Sequence, residues 1–157
     1  MDLDQKNYDE KFMQKALIEA QKSAKEMEVP VGAVIVRENK IIARGRNRRE
    51  TLKSAILHAE TEAITKACKK LGSWRLLDCT LYVTLEPCPM CAGAIINSRI
   101  SRVVYGTKDP KAGSCGTIIN LFDLPYNHKP NLTCGVLENE CSEILTIFFK
   151  ELRKHKN

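Results

Sequence analysis

Thr80-Leu-Tyr-Val-Thr-Leu-Glu-Pro-Cys-Pro-Met-Cys-Ala-Gly-Ala-Ile-Ile-Asn-Ser-Arg-Ile-Ser-Arg-Val-Val-Tyr-Gly106 changes character twice within 27 residues. Thr80 to Leu85 is rich in β-branched and aromatic residues and reads as a strand. Pro87 to Asn97 opens on prolines, which suit the first turn of a helix, and continues with Ala-Gly-Ala-Ile-Ile. Ser101 to Gly106 reads as a second strand. Strand, helix and strand in succession imply a right-handed crossover between parallel strands, with the helix on one face of the sheet.

The flanking segments extend that unit. Residues 7 to 27 read as an amphipathic helix carrying Phe12, Ala16, Ile18/Glu19, Ala20 and Met27, with Pro30 beyond its end. Gly32–Val36 and Lys40–Gly45 are short apolar runs joined by Arg37-Glu38-Asn39, a β-hairpin pattern. His58 to Leu71 is helix-like and is followed by Gly72, a common helix terminator. Lys108 to Tyr126 mixes Gly, Pro and apolar residues without a period. Leu132 to Leu137 reads as a last strand and Glu138 to Lys154 as a closing helix with Ile144, Leu145, Phe148, Phe149 and Leu152. The expected fold is a three-layer α/β/α sandwich around a mixed five-stranded sheet.

The chain has 157 residues, seven cysteines and a formal net charge of +6. That length suits one domain spanning 1–157, because domains of about 100–150 residues are commonest. No apolar run approaches the roughly 20 residues of a membrane span. The polar, acidic start, Met1 to Glu10, lacks the basic and apolar regions of a signal peptide. The reading is a soluble, cytoplasmic protein. An odd cysteine count in such a setting argues against a disulfide framework.

Chemistry concentrates in His58-Ala59-Glu60 and Pro87-Cys88-Pro89-Met90-Cys91. Cys88 and Cys91 open a helix, where backbone N–H groups and the helix dipole favour thiolates. Three readings compete. A thiol redox pair has this spacing but does not call for His-x-Glu upstream. A structural zinc site needs four protein ligands, and no second pair exists. A catalytic zinc needs three ligands and one open position, which His58, Cys88 and Cys91 supply. Glu60 decides among them. If two helix starts meet at one metal, Glu60 sits beside it without ligating it, where a general base for an attacking water belongs. Cys68, Cys79, Cys115, Cys134 and Cys141 read as small buried or incidental residues.

This pattern resembles the zinc-dependent nucleobase deaminases of the cytidine deaminase-like fold, whose signature pairs His-x-Glu with Pro-Cys-x-x-Cys. Within that superfamily the chain is most similar to the bacterial tRNA adenosine deaminases. The likeness runs through Val29-Pro-Val-Gly-Ala-Val34, Gly45-Arg-Asn47, Thr84 to Ala94, Val104-Tyr-Gly106, Asp109, Asn127-His128 and Phe148 to Arg153. Thr61-Glu62 is more polar than the family pattern.

The resemblance implies a homodimer with one Zn2+ per subunit that converts adenosine to inosine at the wobble position of a tRNA anticodon stem-loop. It implies His58, Cys88 and Cys91 as ligands, Glu60 as proton shuttle, and Asn47, Ala59, Asp109 and Arg153 as substrate contacts. The backbone N–H groups of Ala59 and Cys88 would lie near the reacting centre. Seven basic residues between Arg37 and Lys53, against two acids, and the tail Lys150, Arg153, Lys154, His155 and Lys156 would form a rim for RNA. The rivals are a small-molecule deaminase of cytidine, deoxycytidylate or guanine, and a non-catalytic zinc module that binds RNA.

Overall fold

The computed structural model describes residues 2–155, so Lys156 of the basic tail lies outside the described residues. The order is α1 (Leu3–Lys25), β1 (Gly32–Arg37), β2 (Lys40–Arg46), α2 (Ala59–Leu71), β3 (Thr80–Leu85), α3 (Pro89–Ser98), β4 (Arg102–Thr107), a 3-10 turn (Leu121–Asp123), β5 (Asn131–Cys134) and α4 (Glu138–His155). The strands form one sheet in the order β2-β1-β3-β4-β5. β1 runs antiparallel to β2 and β3, whereas β3, β4 and β5 run parallel.

Strict alternation along the central strands builds the two outer layers. Ala33, Ile35, Leu81, Val83, Val103 and Tyr105 face one side and pack with Ala59, Ala63, Ala67, Ala92 and Ile95 of α2 and α3. Val34, Val36, Tyr82 and Val104 face the other side and meet Phe12, Met13 and Ala16 of α1 and Cys141 of α4. The sandwich and its mixed five-stranded sheet are those expected from the residue pattern.

Most boundaries shift from the pattern reading by a residue or two, and those of α1 and β5 show why. α1 starts at Leu3 because Asp2 caps it, accepting the Gln5 N–H at 2.8 Å. It stops at Lys25, and Met27 turns left-handed with φ 62° and lies exposed. β5 ends at Cys134 because the chain turns at Gly135, φ 81°. On α1, Glu19 points inward and Ile18 outward. β2 approaches α2 so closely that a Cβ on Gly45 would lie 2.1 Å from the Ala59 carbonyl oxygen. That contact leaves Asn47, two residues on, near α2's first turn, where both line one cavity.

Buried polar bonds tie the layers. The Asp9 carboxylate, on α1, accepts the Tyr82 hydroxyl at 2.8 Å and both terminal nitrogens of Arg102 at 2.8 and 2.7 Å. Arg102 also donates to the Thr133 hydroxyl at 3.0 Å. One side chain of α1 is thereby fastened to β3, β4 and β5.

Candidate active site

Both cluster motifs sit at helix starts. His58 is the N-cap of α2, with extended backbone, and its N–H donates to the Thr61 hydroxyl at 3.0 Å. Thr61, one of the polar departures, therefore closes the first turn of the helix. Cys88 is the N-cap of α3, with Pro89 in the first turn, and Cys91 lies one turn in. α2 and α3 share one face of the sheet, so their N-termini converge beside the C-terminal end of β3. Crevices of this kind, at the carboxyl ends of parallel strands, are the usual binding places of open α/β sheets.

The ligand atoms of His58, Cys88 and Cys91 all lie within 4.8 Å of one another. Nδ1 of His58 is 3.6 Å from the Cys88 Sγ and 3.5 Å from the Cys91 Sγ. For a tetrahedral zinc, with Zn–N about 2.0–2.1 Å and Zn–S about 2.3 Å, the nitrogen–sulfur edge is about 3.6 Å. The donor set and its spacing fit zinc. Cys91 hydrogen-bonds to Cys88 and does most to hold the Cys88 thiol down at about 4, with His58 adding to the effect. The same bond, together with burial, pushes Cys91 up. His58 is raised, chiefly by its hydrogen bond to Cys88.

A cavity of about 210 Å³ opens over this cluster. Its walls include Val29, Asn47, Arg49, Ala59, Glu60 and Asp109. It is smaller than the ~300–1,000 Å³ of sites for drug-sized ligands, which suits a single base better than a whole nucleotide. Glu60 is only 3% exposed and borders the cavity without joining the cluster. Burial pushes its carboxyl up to about 7, against the opposing pull of its own backbone N–H and of His58. A larger, more open depression near Asp2, Tyr8 and Arg102 has no comparable donor set.

The structure brings Asn47, Ala59 and Asp109 to the cavity with the cluster. Asn47 is already engaged: its amide nitrogen donates to the Val29 carbonyl at 3.1 Å and its oxygen accepts the Arg49 N–H at 3.2 Å. One N–H and one lone pair remain for a ligand. Arg153 is exposed on α4 and does not line the cavity. His128 is bonded to the Ile100 carbonyl at 2.7 Å, away from the cavity. Of the Arg37–Lys53 run, Arg46 is paired with Glu26 and Arg48 with Glu62, whereas Arg49 is exposed and lines the cavity. Glu62, the other polar departure, accepts the Arg46 N–H as well and steadies the strand end before Asn47.

Two buried carboxylates were not picked out by the motif pattern. Glu28 accepts the N–H groups of Glu50 and Thr51 at 3.0 and 2.6 Å, and Glu86 accepts those of Asp109, Cys115 and Thr117. Their only sequence signal is an acid set at the end of an apolar or structured segment.

The family profile described as "Cytidine and deoxycytidylate deaminase zinc-binding region" matches residues 6–107. A tRNA-specific adenosine deaminase of Bacillus subtilis (strain 168) is 53% identical over 149 residues, covering 94% of this chain and 92% of the relative. One of Agrobacterium fabrum (strain C58 / ATCC 33970) is 46% identical over 143 residues, covering 90% and 94%. A solved structure from a study of A-to-I editing by tRNA deaminases at the wobble position superposes with a TM-score of 0.83 at 45% identity, covering 85% of this chain and 98% of that one. A guanine deaminase structure from Bacillus subtilis reaches 0.63 at 39% identity, covering 76% and 80%. On the extent of these matches, the chain belongs to the tRNA-specific adenosine deaminases, within the cytidine and deoxycytidylate deaminase zinc-binding family.

Proposed function

We propose that this protein hydrolyses adenosine to inosine and ammonia at the wobble position of tRNA, using one zinc per subunit held by His58, Cys88 and Cys91. The observation that carries the reading is the buried Glu60 carboxyl beside a three-ligand cluster that opens on a base-sized cavity. A structural metal site has no use for such a neighbour. When bound, zinc supplies a Lewis acid that brings the pKa of water toward about 7.

The chain's own residues move the protons. Glu60 takes one from the attacking water and delivers it to N1 of adenine, which makes C6 electrophilic. Water oxygen adds at C6. Glu60, ionised again, takes the proton of the added C6 hydroxyl and passes it to the exocyclic amine; the C6–N bond breaks as C6=O forms, and ammonia leaves. The free N–H and lone pair of Asn47 orient the base. The Ala59 and Cys88 N–H groups, at the starts of two helices, face developing negative charge. A stacked base cannot reach this depth, so the nucleotide must be splayed from a loop, as in an anticodon.

Asp109 and Arg49 at the mouth, and Arg153 on α4, are assigned to the RNA outside the cavity. The protein acts as a homodimer in the cytoplasm under this reading. Incubation of the purified enzyme with total tRNA, followed by mapping of inosine, tests it. Inosine at wobble positions is expected. Deamination of free nucleosides or guanine without reaction on tRNA would select the small-molecule reading, which the guanine deaminase likeness supports.

A further inference from the structure

Glu86 is 2% exposed, lies two residues before a cluster cysteine and is not among the cluster's donors. Its carboxylate is filled from a single loop. One oxygen accepts the Asp109 N–H at 3.1 Å and the Thr117 hydroxyl. The other accepts the N–H groups of Cys115 at 3.0 Å and Thr117 at 3.1 Å. These four donors lie 23 to 31 residues along the chain from their acceptor. The loop has almost no regular structure of its own between β4 and the 3-10 turn, beyond an isolated bridge from Cys115 to Asn120.

The wrapping is close enough to demand a glycine. A Cβ at Gly113 would lie 2.5 Å from the Glu86 carboxyl carbon, 2.5 Å from one of its oxygens and 2.5 Å from the Asp109 carbonyl oxygen. Gly113 is buried and donates its own N–H to that carbonyl at 2.9 Å. The same loop carries Asp109 and Ala112 into the cavity wall. Within it the Asp109 side chain accepts the N–H groups of Lys111 and Ala112 at 3.0 and 3.2 Å, which ties Asp109 to Ala112.

We propose that Glu86 is a positioning residue: by binding the loop 109–117 around its carboxylate, it sets Asp109 and Ala112 at the rim and so governs how tightly the nucleotide substrate is held, rather than the deamination step. The proposal rests on the function proposed above for its substrate, but the positioning itself can be read without one. Glu86→Gln keeps the shape and replaces one acceptor oxygen by an N–H2 group that confronts donors. Zinc-loaded wild type, Glu86→Gln, Thr117→Val, Asp109→Ala and the Glu86→Gln/Asp109→Ala double variant are compared.

Amide hydrogen exchange should rise at Asp109, Cys115 and Thr117 in Glu86→Gln while α2 and α3 stay protected and zinc content is unchanged. On tRNA, KM should rise roughly tenfold, the scale of an unsatisfied buried donor, with kcat within about threefold of wild type. Thr117→Val should shift both readouts the same way by less, and it stands in if Glu86→Gln does not fold. The Glu86→Gln effect on KM should largely vanish in the Asp109→Ala background. Unchanged exchange in the loop, loss of zinc, a fall confined to kcat, or additive effects on KM would each overturn the assignment. Wild type that protects the loop but leaves tRNA unreacted would instead sink the substrate, with hydrogen exchange still deciding the role of Glu86.

Discussion

Glu60 and Asp9 are both carboxyl groups with almost no exposure, and their neighbours drive them apart. Glu60 has burial as its largest influence and too few donors to offset it, which leaves it near 7, the range in which a carboxyl both takes and returns a proton. Glu60→Gln should keep zinc and fold, and should lower kcat by at least about a hundredfold, because the amide transfers no proton. Metal analysis alongside turnover checks both halves, and near-wild-type turnover would remove the proton-shuttle role. Asp9 is also opposed by burial, but Arg102, Tyr82 and Gln5 together outweigh it and hold the carboxyl below its ordinary value. Its folded value being the lower, it contributes stability above the unfolded value, near 3.9, and that contribution fades as pH falls through the folded one. Asp9→Asn should cost about 3 kcal/mol at pH 7, since it leaves Arg102 unpaired. Denaturant melts at pH 7 and pH 3 should show a smaller acid-induced loss in the variant than in wild type.

At the scale of elements, two helix starts make the metal cluster, and their convergence depends on tight packing against the sheet. Gly45 permits β2 to approach α2, where any side chain would strike the Ala59 carbonyl. Gly45→Ala should cost about 1–3 kcal/mol by overpacking and should shift the end of α2 that carries His58. The expected observation is a lower melting temperature together with weaker zinc retention against a chelator. Cys88→Ala should lose zinc outright and melt earlier, because ligands and fold are coupled. The helices, the hairpin and three strands were legible from residue pattern because each is a local property: apolar spacing, a Pro in a first turn, a Gly past an end. The segment 108–126 was not, since its 109–117 part is held by four hydrogen bonds to the distant Glu86. Nor was the inward turn of Glu19, for Ile18 is the more apolar neighbour and only the packed layer distinguishes the two.

For the whole molecule, the +6 charge is distributed unevenly in what it can do. Arg46, Arg48 and Arg102 are committed to Glu26, Glu62 and Asp9, whereas among the described residues Arg49 makes no ion pair and borders the cavity. Affinity for tRNA should fall steeply between about 50 and 200 mM salt. Arg49→Ala should weaken binding and reduce the slope of log affinity against log salt by about one, measured by filter binding. Arg46→Ala should change the slope little, because its charge is already spent on Glu26. Binding indifferent to salt would refute the proposed RNA rim.

The donor types, their spacing and the two helix starts were determined by the sequence, because an N-cap, a Cys-x-x-Cys turn and a strand-helix-strand order are each written within a few residues of themselves. The superfamily likeness followed from those same residues, and the narrower likeness to the tRNA adenosine deaminases from the Asn47 segment, Asp109 and the Phe148–Arg153 tail. Tertiary structure alone decided that Nδ1 of His58 meets both sulfurs at 3.5–3.6 Å across about 30 residues of chain, that Asn47 spends half its amide on Val29 and Arg49, and that Arg153 stands clear of the cavity. It also decided which backbone N–H groups Glu28 and Glu86 satisfy. Such contacts join distant positions whose residue types carry no local signal, and a buried carboxylate takes whichever donors the packed layers bring to it.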